Sequence, residues 1–217
     1  MVSAIGAVVL KEIVVEFRNR SLLYTLLLFT VVVVLILAFA LMEKTIAPEL
    51  FVAFCWIVLF FLAIQSGARS FAAEYERETV VLLHTLVSGY AVFWGKVVYQ
   101  VGMVTFLMSI AAALLLLVFD VPIASMTGFW LTLGVSSILM GAMVPIFSAL
   151  IARSQMKGAL LPVLAFPVFV PLMRLGIEGM LDAVLKQLHV QTLILMGAYA
   201  GIVVTLAAML FDYVWRE

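Results

Sequence analysis

Charge is scarce in this chain. Aspartate, glutamate, lysine and arginine make up 11% of its 217 residues, where a soluble domain carries about a quarter. Cysteine is nearly absent. Cys55 stands alone, so no internal disulfide can form, and no CxxCH, paired CxxC or zinc spacing exists. It lies in an apolar run and reads as lipid- or helix-facing packing. Formal net charge is zero, so no global charge argues for nucleic acid. Catalytic constellations are missing too: there is no HExxH, no GxSxG and no DxD-type metal cluster. The chain is expected to be non-catalytic, with no metal site.

What the chain does have is apolar surface. Hydrophobic residues form 67% of it, and its mean hydropathy is strongly positive. So short a chain cannot hide that much in a water-soluble core. The long apolar runs point to an all-α integral membrane protein. Six of them can span a bilayer at about 20 residues each: Leu22–Met42, Leu50–Ala68, Val92–Phe119, Gly128–Ile151, Ala159–Ile177 and Thr192–Val214. The third is long enough to tilt or to begin at the interface. The fifth holds Pro162, Pro167 and Pro171. Proline removes a backbone donor, so a bent or broken helix is expected. The sixth carries Gly197 and Gly201 at GxxxG spacing, which allows close contact with another helix. No ionisable residue lies clearly in the middle of a span, which argues against proton- or ion-coupled transport.

The first 20 residues form a separate piece. Val9, Leu10, Ile13, Val14 and Phe17 gather on one side of a helical wheel, while Lys11, Glu12, Glu16, Arg18, Asn19 and Arg20 gather mostly on the other. This is the pattern of an amphipathic helix lying in the membrane interface. It does not read as a cleaved signal. Placing the N-terminus inside puts nine of the twelve lysines and arginines on the inner side and three on the outer. That bias orients both termini toward the cytoplasm. The largest outer loop is then 176–191, where Met180, Leu181, Val184, Leu185 and Leu188 suggest a short amphipathic surface helix. The two histidines, His84 and His189, fall on opposite sides and cannot share a metal; His189 alone could in principle serve as an axial haem ligand.

The densest charge lies in the inner loop 69–90, in "FAAEYERETVVLLHTL". Phe71, Tyr75, Thr79, Leu82 and Leu86 share helical spacing, and Glu74, Glu76, Arg77 and Glu78 cover the rest. Glu74 and Arg77 can pair at i, i+3. Ser88-Gly89 is a stop signal. The segment reads as a short cytoplasmic helix, apolar toward the membrane and acidic toward a partner. The Gly95-Lys96 that follows is not part of a P-loop, which needs GxxxxGK and then Ser or Thr; here Val97 follows. Lys96 is expected to snorkel from the third span to water and lipid phosphate. A lipid-modifying membrane enzyme would need Asp, His or Ser clustered near an interface. The one cluster, Glu74, Glu76 and Glu78, lacks a histidine or DxD partner.

The order of these parts resembles ABC-2-type exporter permeases. Within them, "IAPELFVAFCWIVLFFLAIQSGARSFAAEYERETVVLLHTL" and "GALLPVLAFPVFVPLM" are similar to the CcmB family, the B subunits of the haem exporter of cytochrome c maturation. Pro48 opens the second span as in that family. Pro48, Pro162, Pro167 and Pro171 are taken as its backbone-shaping positions. Glu49, Glu78-Thr79 and Ser88-Gly89 depart from the family pattern. The resemblance implies a single ABC-2-type permease domain over 1–217. It implies a homodimer paired with a separate ATPase (CcmA-like) that carries the ATP, and a haem-handling membrane subunit (CcmC-like). It assigns Phe71, Glu74, Tyr75, Glu76, Arg77 and Glu78 to ATPase coupling and leaves any haem on partner subunits. It implies either haem export or release of the haem-loaded periplasmic chaperone. An ABC-2 permease for a lipid, drug or polysaccharide is the alternative.

Overall fold

The computed structural model describes residues 2–42, 45–68, 87–152, 157–186 and 190–216. Among these every regular element is helical. In chain order they are α1 (Val2–Arg18), α2 (Ser21–Leu41), α3 (Pro48–Ala68), α4 (Gly89–Val118), α5 (Met126–Ala152), α6 (Lys157–Leu185) and α7 (Val190–Arg216). Five of them, α2, α3, α4, α5 and α7, are long and apolar enough to cross a membrane. The sequence expectation of a fifth span at Ala159–Ile177 falls within α6, which is not one of those five.

Local chemistry sets the boundaries. Proline at the first helical position removes a donor that has no partner there, and Pro48 stands at that position in α3. It therefore starts a helix and does not kink one. Ser88 is extended and holds the N-cap position of α4 with no side-chain hydrogen bond; the acidic helix that Ser88-Gly89 was expected to stop lies outside the described residues. Met42 ends α2 in a left-handed conformation, its N–H bonded to the Ala38 carbonyl. Pro145, not singled out from sequence, lies inside α5.

Burial sorts the helices. Two thirds or more of the α3 and α5 spans is buried, 67% and 72%, against 17% for α2 and α7. So α3 and α5 are central, while α2 and α7 face outward. On α2 the buried residues are Leu26, Thr30 and Val34, one stripe at i, i+4. Cys55 is buried in the main core, so it faces helices and not lipid.

Two expectations about α6 change. It is neither broken at its prolines nor followed by a separate outer helix; one α-helix runs from Lys157 to Leu185. Its buried stripe of Ala165, Phe169, Leu172, Met180 and Ala183 continues through the supposed loop. The reason is a tertiary clamp. Ala124 and Ser125, in the α4–α5 turn, donate N–H bonds of 2.9 Å each to the carbonyls of Val184 and Ala183. That holds the last turn of α6 against the bundle, where Met180 and Val184 of the supposed surface face are core while Leu185 is exposed.

Candidate functional site

The polar chemistry among the described residues concentrates where α1 meets the start of α4. Helix α1 turns a mixed stripe inward. Val8 is buried against Gly95, where a Cβ would come within 2.6 Å of the Val8 side chain and 3.3 Å of the Ile5 carbonyl oxygen. Only glycine lets the two helices meet this closely. One turn further on, Lys96 Nζ donates to Glu12 Oε1 at 2.9 Å. Lys11 Nζ donates to the same oxygen at 3.1 Å. Another turn on, Glu16 Oε1 accepts the Leu23 N–H at 3.0 Å, and Glu16 Oε2 lies 3.4 Å from the Tyr99 hydroxyl. Glu16 thereby ties α1, α2 and α4 together.

Lys96 therefore corrects the sequence expectation. It does not snorkel to water and lipid phosphate: its side chain is fully buried, and Glu12 beside it is 13% exposed. An ammonium taken out of water needs a close counter-charge, and α1 supplies it. The amphipathicity of α1 is likewise inverted with respect to the bundle. Leu10, Ile13, Val14 and Phe17 point outward, while the acids assigned to the polar face point in. Burial pushes the Glu12 carboxyl up, but the attraction and hydrogen bonds of Lys96 and Lys11 outweigh it, leaving the group below its ordinary 4.5.

The same end of the bundle holds a second buried polar contact. Gln100 Nε2 donates to Ser66 Oγ at 2.6 Å, joining α4 to the last turn of α3. Gly141 of α5 packs on the backbone of Gln100 and Val101, where a Cβ would lie within 2.8 Å of the Val101 Cα. Helix α4 meets Ser66 eleven residues after its own start, so it overhangs the end of α3 by about 13 Å at 1.5 Å per residue. Phe93 in this overhang stacks on Phe211 near the end of α7, ring centroids 5.0 Å apart. Thus α1, the end of α3, the start of α4 and the end of α7 meet at one end of the bundle. The chain between α3 and α4 is the segment carrying the acidic run.

The coupling residues read from sequence, Phe71, Glu74, Tyr75, Glu76, Arg77 and Glu78, lie outside the described residues, as do His84 and His189. Pro162, Pro167 and Pro171 all fall within the continuous α6. Glu12, Glu16, Ser66 and Gln100 were missed. Their signal was present: two acids at i, i+4 on α1, and the polar run Lys96, Tyr99 and Gln100 inside a span that needs none.

A family model described as CcmB protein matches residues 3–213. The chain belongs to the CcmB family. A search of curated proteins returned no match. CcmB proteins are membrane subunits of the haem-exporting ABC transporter of cytochrome c maturation, a system that includes an ATPase partner, and they form a family of permease subunits. The apolar helices of this CcmB chain agree with an integral membrane protein. The match spans both the α1–α4 joint and the α3–α4 connection.

Proposed function

We propose that this chain converts the motion of a partner ATPase into movement of its membrane helices, as a homodimer with six spans per copy and both termini cytoplasmic. The acidic segment receives the push. Phe71 and Tyr75 seat it against the membrane helices, and Glu74, Glu76 and Glu78 meet basic groups on the ATPase, with Arg77 pairing within the segment. The polar joint is the observation that carries this reading. The segment connects α3 to α4, and those two helices are fastened at that end to each other by Ser66–Gln100 and to α1 by Glu12–Lys96. A force on the segment therefore moves α1, α3 and α4 as one block. The lysine and arginine bias supports the orientation. So does the gathering of α1 and the end of α7 around the start of α4. On α7, Gly197 and Gly201 have open space around an added Cβ, which leaves that face available to a second copy.

The output in this reading is release of the haem-loaded periplasmic chaperone, with haem held by a separate membrane subunit. The test is charge reversal at Glu74, Glu76 and Glu78 in the assembled complex. Weaker co-purification of the ATPase and a lower yield of c-type cytochromes are expected. If neither changes, the segment is not the coupling element.

A further inference from the structure

A groove of about 500 Å³ opens between α1, the start of α2 and α4. Its walls are apolar: Ile13 and Phe17 from α1, Met103 and Phe106 from α4. Two of its lining residues are charged, and they carry opposite signs at the α1–α2 corner: Glu16 and Arg20. The Arg20 guanidinium donates through Nε to the Phe17 carbonyl at 3.3 Å and lies 5.9 Å over the Phe17 ring. Those two contacts hold the guanidinium beside the groove. Arg20 is also the N-cap residue of α2, and the first turn of that helix already gives its Leu23 N–H to Glu16, so the charge offered to an anion here is that of Arg20. Glu16 is held from two sides by the Leu23 N–H and Tyr99, so its carboxylate is fixed at the groove.

We propose that this groove is a binding site for a zwitterionic phospholipid with a primary ammonium, a phosphatidylethanolamine. The lipid phosphate sits on the Arg20 guanidinium, the ammonium donates to the Glu16 carboxylate, and one acyl chain lies along α4. The charge pattern selects this occupant. An anionic headgroup would satisfy Arg20 but meet Glu16 with like charge. A quaternary ammonium could not donate to Glu16 at all. The length also fits: Val98 to Phe106 rises about 12 Å along α4, close to one leaflet's share of the roughly 30 Å hydrocarbon core. Open space lies over Gly102, where an added Cβ meets nothing within 4 Å, so a small side chain there leaves the groove free and a large one fills it. A lipid seated there would brace the outer face of α1 where Glu12 pins its inner face. This inference needs the chain to be in a bilayer, but it does not depend on the coupling mechanism proposed above.

The test uses the full-length chain purified in mild detergent and stripped of lipid. Dioleoyl phosphatidylethanolamine, phosphatidylcholine and phosphatidylglycerol are added separately, and bound lipid is counted by native mass spectrometry. Phosphatidylethanolamine is expected to bind best. Arg20→Gln, which removes a charge-assisted contact, should weaken it about tenfold. Gly102→Phe should abolish the bound lipid while Gly102→Ala retains it, and thermal unfolding of both variants checks that they fold. Equal binding of phosphatidylglycerol and phosphatidylethanolamine would remove the role of Glu16 and overturn the assignment. So would lipid retained unchanged in a folded Gly102→Phe, or a groove found filled by a partner protein's helix in the assembled complex.

Discussion

The two ends of this bundle are held by different physics. At one end α1, α3 and α4 meet through a fully buried lysine, its glutamate and a glutamine–serine hydrogen bond. At the other, α3 meets α5, α6 and the residue that ends α4 through shape. Phe51 packs on Phe129 with ring centroids 6.2 Å apart, and Phe54 on Phe119 at the same separation. Gly176 lies so close to the Trp56 ring that an added Cβ would fall 2.0 Å from it. Lipid is as apolar as leucine, so helices inside a membrane gain little from hydrophobic burial and associate by close packing or polar contact. Close packing gives a rigid block with one good arrangement. An ion pair gives a strong, directional link that depends on both partners. The end that carries the α3–α4 connection uses the second kind, which is what the proposed coupling requires of a joint.

The sharpest way to break this contrast is to remove one partner of the ion pair. Glu12→Gln takes the carboxylate away from a fully buried ammonium, and such a loss costs about 3–5 kcal/mol. We expect α1 to detach from α4, seen as increased protease cleavage between α1 and α2 and a large fall in unfolding stability. The double variant Glu12→Gln with Lys96→Met should recover most of that stability, because no buried charge is left without its counter-ion. Recovery without restored c-type cytochrome yield would mean that the pair serves the motion and not only the fold. Equal loss in the single and the double variant would show that the pair contributes no more than packing.

At the shape-packed end the largest effect should be smaller and of another kind. Gly176→Ala drives a methyl into the Trp56 ring, and overpacking of this sort costs about 1–3 kcal/mol. Trp56→Phe, which makes room, should compensate in the double variant. A drop in stability with normal ATPase association is the expected pair of results. If Gly176→Ala is silent, the fit between α3 and α6 is looser than the contact requires.

This contrast also explains what the sequence could and could not show. Span limits were legible because about 20 apolar residues in a row are a strong signal: Leu22–Met42 was read for Ser21–Leu41, and Leu50–Ala68 for Pro48–Ala68. The end of α6 was not. Its apolar spacing at Met180, Leu181, Val184 and Leu185 was correctly read as helical, but periodicity cannot tell a surface helix from the continuation of a core one. The two hydrogen bonds from the α4–α5 turn decide that, and they join residues about 60 apart. Lys96 was misread for the same reason. A lysine near the end of a span ordinarily reaches for water, and its partner Glu12 lies 84 residues away on another helix. Glu12 and Glu16 were visible as acids on an amphipathic helix, yet a helical wheel gives no sign of which face meets protein and which meets lipid. Phe71, Glu74, Tyr75, Glu76, Arg77 and Glu78, read from the sequence as coupling residues, lie outside the described residues.

The gentlest way to probe the joint is pH, which leaves every atom of the packing in place. The Glu12 carboxyl faces Lys96 and Lys11 as bonded partners, with Glu16 and Tyr99 one turn away. Despite burial, which opposes the charge, the two lysines hold its pKa below the ordinary 4.5. A group whose folded pKa lies below its unfolded value stabilises the fold fully above the unfolded value, and loses that contribution as pH falls through the folded one. The link between α1 and α4 should therefore be intact at neutral pH and weaken only below about 4.5. A distance probe between the outer face of α1 and the lipid-facing side of α4 should show this as a separation that grows at acid pH in the native chain. In Glu12→Gln the acid-dependent step should vanish, because no carboxylate remains at that position to protonate. An acid transition that persists unchanged in Glu12→Gln would place the titrating group elsewhere and show that the joint is held by the Val8–Gly95 contact more than by charge.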